Sequence, residues 1–388
     1  MTRKVAIVGV GQTTFRSRKP ETSEEIAFEA AYHALQDAGM TIDDVDGVVY
    51  GSAVDGFDGI HMKGEAMICG VGAKGKAFSR HSTGGATGVT APIAAWWQIA
   101  SGYSDAVLCI CAEKMSPPRP HPQQIFRTIF DEFYERPLDI NLLNGIACQM
   151  KRYMHVHGIT PEQIAMVAVK NRRNAMGNHY AQLPGDFTTE MVLGSPMLVD
   201  PIHLMMMSPA SDGGAAAIFT TEEKARELSE RPVVTVRGVG WCMDSPHYAY
   251  KDTAYSPQTV KSGKMAYEMA GIKNPREELD LAEVYDPVAY KELQHSEALG
   301  LCEIGEGGRA IERGDFNRDG VIPVNASGGL LGVGNPIAGA GMQKVISITQ
   351  QLRGDEIGYR VPGELKLGLA HAWGGLLQFS SVMILGAD

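Results

Sequence analysis

Long apolar runs, paired cysteines and an excess of positive charge are all missing from this chain. No uninterrupted apolar stretch approaches the roughly 20 residues that cross a bilayer, so no membrane span is expected. Met1–Gly9 is too short for a secretory leader and reads as the approach to a first strand. Six cysteines are scattered without a C-x-x-C pair, and Cys109 and Cys111 alternate on one face of a strand, a poor geometry for a bridge. A reducing cytoplasm is therefore the expected location. The formal net charge of −10 speaks against a nucleic-acid surface and against anionic membranes. His155 and His157 alternate near a helix end with no third ligand close in sequence, so no metal site is expected.

What the chain does have is length, apolar content and glycine. Its 388 residues suit two domains or one large double domain, and 44% hydrophobic residues against 21% charged suffice for a substantial core. Gly84-Gly85-Ala86-Thr87-Gly88-Val89-Thr90-Ala91-Pro92 is echoed by Gly328-Gly329-Leu330-Leu331-Gly332-Val333-Gly334-Asn335-Pro336, an offset of 244 residues. Val8-Gly9-Val10-Gly11 is echoed by Arg237-Gly238-Val239-Gly240, and Asp46–Tyr50 by Leu281–Tyr285, at offsets of 229 and 235. Three ordered echoes at so long a period indicate duplicated domains rather than a solenoid. A glycine turn entering a helix presents backbone N–H groups to an anion or a polarised carbonyl.

Strands are expected at Val5–Val8, Val45–Tyr50, Ala106–Cys111, Ser211–Ile218 and Ala282–Tyr285. Helices are expected at Ser23–Ala38, capped by Ser23 and ended by Gly39, and near Val89–Ser101, Pro161–Asn178, Thr259–Ala270 and Ile337–Leu352. The order is that of a layered α/β protein. Between about Met115 and Asp200 prolines, aromatics and histidines crowd together, which reads as an inserted loop domain.

Ile99-Ala100-Ser101-Gly102, Asp105–Leu108, Ala112-Glu113-Lys114-Met115-Ser116, Ser211-Asp212-Gly213, Glu283-Val284-Tyr285-Asp286, Asn325–Gly329, Gly334-Asn335-Pro336 and Gln350–Gly354 together resemble the thiolase superfamily, in its sterol-carrier-protein-x (lipid-transfer) type. The resemblance runs over essentially the whole chain. It implies a duplicated five-layer α-β-α-β-α fold. The N-terminal half would comprise residues 1–115 and 206–230, interrupted by an inserted loop and CoA-binding domain at 116–205. The C-terminal half would comprise 231–388.

The family's catalytic positions map onto unusual residues here. The nucleophilic cysteine falls on Gly85, so a covalent acyl-enzyme at that position is excluded. Ser82 and Thr83 flank the turn, either as relocated hydroxyls or as partners of the backbone. The family's activating histidine is Asn335, able to donate a hydrogen bond but not to accept a proton at neutral pH, or simply a cap of the helix after Pro336. The oxyanion Asn or His is Tyr285, followed by Asp286; the alternative for Tyr285 is a packed aromatic at a strand end. The proton-shuttling cysteine falls on or beside His371, a competent base or else a strand-end histidine bonded to backbone, with Trp373 shaping the cavity and the Gly374 N–H a second oxyanion donor beside the Gly85 amide. The glycine and tyrosine swap resembles thiolase-like steroid side-chain aldolases, whereas Gly334-Asn335-Pro336 looks more like an ordinary thiolase turn. His81 precedes the Gly85 turn, where it would line the cavity, and Ser211 is a further substrate or CoA-binding candidate. Met206 either packs beneath the inserted loop domain or, as the resemblance implies, contacts the pantetheine arm, and Arg119, Arg127, Lys151 and Arg152 are candidates for the CoA phosphates or solvated surface charges.

Three functions fit these residues. One is non-covalent, retro-aldol C–C cleavage or formation on an acyl-CoA in lipid or sterol-like side-chain metabolism. Another is a non-catalytic CoA- or lipid-binding subunit of a heteromeric complex. The third is an atypical acyltransferase lacking the cysteine. No covalent cofactor is implied, the coenzyme A thioester being substrate. A homodimer and a small zinc-ribbon/OB-fold partner protein are implied by analogy. The small residues around Gly85 suggest room for a bulky acyl group.

Overall fold

The computed structural model describes residues 3–60, 62–117 and 122–387. Its strands are β1 (Val5–Gln12), β2 (Gly47–Gly51), β3 (Ala77–His81), β4 (Ala106–Glu113), β5 (Met197–Val199), β6 (Ile202–His203), β7 (Gly213–Thr221), β8 (Val234–Met243), β9 (Leu281–Glu283), β10 (Leu367–Gly374) and β11 (Phe379–Ala387). Nine of them form one sheet in the order β3-β2-β4-β7-β1-β8-β11-β10-β9, and β5 and β6 form a separate hairpin. Strands β3, β2 and β4 are mutually parallel, as are β10 and β9, and the other neighbours are antiparallel. The sheet narrows between β1 and β8, where only Ala6–Thr235 and Ile7–Val234 pair. That junction divides it into half-sheets of five and four strands, and β2-β4-β7-β1 in the first runs in the same order as β9-β10-β11-β8 in the second, the structural form of the sequence echo.

The helices Thr87–Ala100 and Ala338–Arg353 pack on each other and on both half-sheets. Helix Ser23–Ala38 covers the first half-sheet from outside, and Pro257–Ala270 covers the second. This gives five layers, helix, sheet, helix pair, sheet, helix. Strands buried on both faces, such as β4 with no exposed residue, are what a central sheet between helical layers requires. The middle helices touch backbone to backbone. A Cβ on Gly88 would lie 2.2 Å from the Ala338 carbonyl oxygen and 2.5 Å from the Gly341 Cα.

Local chemistry accounts for the element ends. Thr22, rather than Ser23, caps the first helix: its Oγ1 accepts from Glu25 N–H at 3.1 Å and Glu25 Oε2 accepts from Thr22 N–H at 2.8 Å. Gly39 closes it in the left-handed region, φ 64°. Between β4 and β7 the helices Pro122–Phe126, Leu142–His157, Pro161–Asn174 and Thr189–Leu193 join the β5–β6 hairpin. All but the first of these helices share an apolar cluster with the helix Ala289–Ala298, through Met150, Tyr153, Ile164, Val192, Tyr290 and Leu293. The long glycine echo is out of register in space. Pro92 lies inside its helix, whereas Pro336 precedes its helix, so the matching letters occupy different places in the two halves.

Candidate active site

The turn between β3 and the helix Thr87–Ala100 is shaped by glycine and by threonine hydroxyls. Gly84 has φ 60°. Thr87 Oγ1 donates to the Gly84 carbonyl at 2.6 Å and accepts from Thr83 N–H at 2.8 Å. Thr83 Oγ1 donates to Thr90 Oγ1 at 3.0 Å, and Ser82 Oγ donates to the Ala53 carbonyl. Both flanking hydroxyls are thus committed to holding the turn. The C-terminal end of β10 presses against it. A Cβ on Gly374 would sit 2.3 Å from the Thr83 carbonyl oxygen and 3.1 Å from Gly85 N. A Cβ on Gly85 would sit 2.3 Å from the Trp373 carbonyl oxygen and 3.1 Å from Tyr285 Oη. The volume into which a side chain at position 85 would project is therefore already filled.

Beside this contact lies a cavity of about 100 Å³, bordered by Gly84, Gly85, Tyr285, Asn335, Ile337, Trp373 and Gly375, with Ala53, Val54, Phe57, Phe126, Ile129, Leu142, Ile146 and Pro287 forming the rest of its wall. The polar side-chain groups at its edge belong to Tyr285, Asn335 and Trp373. Tyr285 Oη donates to Asn335 Oδ1 at 3.1 Å and approaches the Ile337 carbonyl at 3.3 Å. Burial, reinforced by the nearby carboxyls of Asp286 and Glu113, pushes the phenol above its ordinary range, so it stays protonated. Asn335 is fixed from behind. Its N–H donates to Ser211 Oγ at 2.9 Å, its Nδ2 to Ser208 Oγ at 3.1 Å, and Ser211 Oγ donates to Gln182 Oε1 at 2.7 Å. The following helix has no side-chain cap, so Asn335 serves the cavity edge rather than the helix end. Ile337, a β-branched residue, holds φ 33°, a strained conformation at the cavity wall.

Two imidazoles grip the Tyr285 backbone. His371 Nδ1 accepts from Tyr285 N–H at 3.4 Å, and His295 Nδ1 donates to the Tyr285 carbonyl at 2.8 Å. These partners fix the tautomers: His371 carries its proton on Nε2, which faces Ser380 Oγ at 3.2 Å, and His295 carries its proton on Nδ1. Burial, with Lys344 and Lys291 nearby, lowers the His371 pKa to about 3, so the ring is neutral near pH 7. The two rings meet edge to face at 4.8 Å.

The structure brings Gly85, Tyr285, Asn335 and Trp373 to one cavity, with Gly374 directly behind the turn. The other sequence candidates lie elsewhere. His371 is fully buried behind Tyr285 and does not border the cavity. Asp286 points into the interior, accepting from Leu330 N–H at 2.7 Å and Asn171 Nδ2 at 2.8 Å, with Lys344 Nζ at 3.6 Å; burial raises its pKa to about 7. Ser211 acts through Asn335. Met206 is wholly buried in the apolar cluster that the inserted helices share with the helix Ala289–Ala298. His81 is half-buried on β3, 3.4 Å from Ser79 Oγ, and does not border the cavity. Arg127, Lys151 and Arg152 form exposed ion pairs with Asp139, Asp200 and Asp252, and Arg119 lies outside the described residues. His295 escaped the sequence reading, since nothing local to it marks a contact ten residues back along the chain. Among the described residues no cluster of three or more His, Cys, Asp or Glu side chains could hold a metal, and no helix is long and apolar enough to cross a membrane.

Comparison with known proteins gives a consistent result. Residues 5–199 match the family described as thiolase, N-terminal domain, and residues 241–387 match thiolase C-terminal domain-like. An acetyl-CoA acetyltransferase of Methanothermobacter thermautotrophicus is 33% identical over 377 residues, 96% of this chain and 97% of that protein. Bovine (Bos taurus) sterol carrier protein 2 is 29% identical over 388 residues, 95% of this chain and 69% of that protein. Among solved structures, the Ltp2-ChsH2(DUF35) aldolase superposes with a TM-score of 0.86 at 28% identity, covering 99% of this chain and 98% of that one.

Proposed function

Because the chain belongs to the thiolase family, we propose that it acts on an acyl-CoA thioester without forming an acyl-enzyme, by retro-aldol C–C cleavage or its reverse. The observation that carries this reading is the exchange of volume at Gly85. The nucleophile position has no side chain, and the Tyr285 hydroxyl stands 3.1 Å from where its Cβ would be. A phenol has replaced a thiol at the reacting centre.

A buried phenol that resists ionisation cannot wait as a phenolate base. It can exchange protons in one concerted event. In the proposed step the β-hydroxyl of a β-hydroxyacyl-CoA gives its proton to Tyr285 Oη while the Cα–Cβ bond breaks. The electron pair of that bond moves to Cα and the thioester oxygen, and the former β-carbon leaves as an aldehyde or ketone. Tyr285 returns its own proton to Cα, which yields the shortened acyl-CoA and a neutral phenol. The N–H groups of Thr83, Ala86 and Thr87 are bonded within the turn, so the Gly85 N–H is the one that would serve the developing enolate oxygen, and Asn335 holds the phenol in line. His371 and His295 serve as positioning residues, since they set the Tyr285 backbone without bordering the cavity. Two routes to activity are open: action alone, or action in complex with a second protein of the kind that the Ltp2-ChsH2 aldolase contains.

The test is incubation of the chain with β-hydroxyacyl-CoAs and detection of carbonyl release. Turnover that is abolished in Tyr285→Phe supports the reading. Release that persists in Tyr285→Phe, or a covalent acyl-protein trapped with labelled acyl-CoA, refutes it. Binding of acyl-CoA with no release, alone or with a zinc-ribbon partner, favours a non-catalytic subunit.

A further inference from the structure

We propose that the cavity admits only short, uncharged acyl groups, and that Phe57 and Phe126 set the limit. The proposal rests on reading the cavity as the acyl site.

The wall facing Tyr285 is built by the segment after β2 and is pinned at both ends. Ala53 N–H donates to Glu113 Oε1, and the Ala53 carbonyl accepts from Ser82 Oγ. Asp58 accepts from Ser23 Oγ and pairs with Lys63 Nζ at 2.9 Å, and Lys63 lies 3.6 Å from Glu113. Lys63 and Glu113 are wholly buried, so releasing the segment would strand charges in the interior. Between the pins, Phe57 is 1% exposed, and its ring meets that of Phe126 at 5.4 Å and 71°. Gly56 packs so closely on the helix Pro122–Phe126 that a Cβ there would lie 2.8 Å from Ile125 Cδ1. The phenylalanine pair is consequently a stop whose Phe57 side is pinned.

Two exclusions follow. A cavity of about 100 Å³ is well below the roughly 300–1,000 Å³ of sites that enclose drug-sized ligands, so a fused ring system does not fit, contrary to the room for bulk expected from the small residues around Gly85. Among the described residues no charged side chain borders it, so a carboxylated acyl group would lose its hydration without gaining a partner there.

The experiment is calorimetric titration of the full chain with acetyl-, butyryl-, octanoyl- and succinyl-CoA. The wild type is expected to bind butyryl-CoA about tenfold or more tightly than octanoyl- or succinyl-CoA. Phe57→Ala is expected to erase the discrimination against octanoyl-CoA. Phe126→Ala, at a half-buried position, is expected to do the same if the first variant folds poorly. Phe28→Ala, 55% exposed on the outer helix, is expected to change nothing. Equal affinity of the wild type for butyryl- and octanoyl-CoA, an unchanged length preference in both variants, or no binding of any acyl-CoA overturns the proposal. A wild type that keeps this preference but releases no carbonyl product sinks the C–C cleavage reading and leaves the size limit standing.

Discussion

Restoring a thiol to the nucleophile turn should harm the protein rather than revive an acyl-enzyme. In Gly85→Cys the new Cβ would stand 2.3 Å from the Trp373 carbonyl oxygen, well inside any tolerated contact, and 3.1 Å from Tyr285 Oη. Trp373 belongs to β10, whose backbone is paired with β11 from Leu367 to Gly374, so that carbonyl cannot swing aside alone. Overpacking a filled site costs about 1–3 kcal/mol, and a backbone obstacle places this case at the upper end. The expected outcome in chemical denaturation is a lower midpoint by an amount equivalent to about 3 kcal/mol at unchanged slope. Mass spectrometry after incubation with acyl-CoA is expected to show no acylated protein. Gly85→Ala should lose nearly as much, because the clash begins at Cβ. A Gly85→Cys protein with wild-type stability that also carries an acyl group would refute both the volume argument and the phenol-centred mechanism.

Tyr285→Phe removes the proton carrier while keeping the ring, so turnover should fall by about 10²–10³-fold or more with acyl-CoA affinity retained. Loss of binding instead of turnover would assign the hydroxyl to ground-state contact alone. Ser211→Ala removes the acceptor of the Asn335 N–H and should lower kcat by about tenfold with little change in KM, since it loosens the partner of the phenol rather than the acyl wall. An unchanged kcat would remove Ser211 from the positioning chain. His371 carries a pH signature. Its pKa falls from 6.5 in the unfolded chain to about 3 in the fold, so between these values only the unfolded chain takes up the proton, and stability declines as pH falls from about 6.5 toward 3. Asp286 and Glu113, both raised to about 7, push the other way. The difference between wild type and His371→Gln isolates the imidazole: the variant should lose less stability over that window, and parallel curves would refute the assignment.

The layered fold and most helix bounds were legible because they depend on local periodicity and caps. Ser23–Ala38 appears with the expected limits, and the central helix expected at Val89–Ser101 runs Thr87–Ala100. Strand β3 was missed because Ala77–His81 is half-buried and carries no apolar run. The glycine echo was visible as letters, but its register was not. Identical residues serve inside one helix and ahead of the other. At the site, Gly85, Tyr285 and Asn335 were found from motif positions, and the cavity unites them. The placement of His371 and Asp286 could not be read off, since adjacency in a motif does not say which side of a strand end faces solvent or a hollow. Glu283, Asp286, Asn171, Lys170, Glu292, Asn325 and Lys344 form a buried polar network under the Tyr285 loop, in which Lys170 and Asn171 come from more than a hundred residues before the rest. Distances of that kind leave no trace in a single sequence.

The meeting of Gly88 with Ala338 and Gly341 also constrains how the two copies of an ancient duplication can evolve. Repeated modules normally accumulate changes separately wherever a linker or a solvent gap divides them. Here main chain lies on main chain, and Asn335 stands three residues before Ala338. A methyl group acquired at position 88 would displace the opposite copy's segment and, with it, the amide that aligns the phenol. Because the obstacle is main chain, no side-chain change in the opposite copy makes room at this point, and the twin modules share a single heritable geometry.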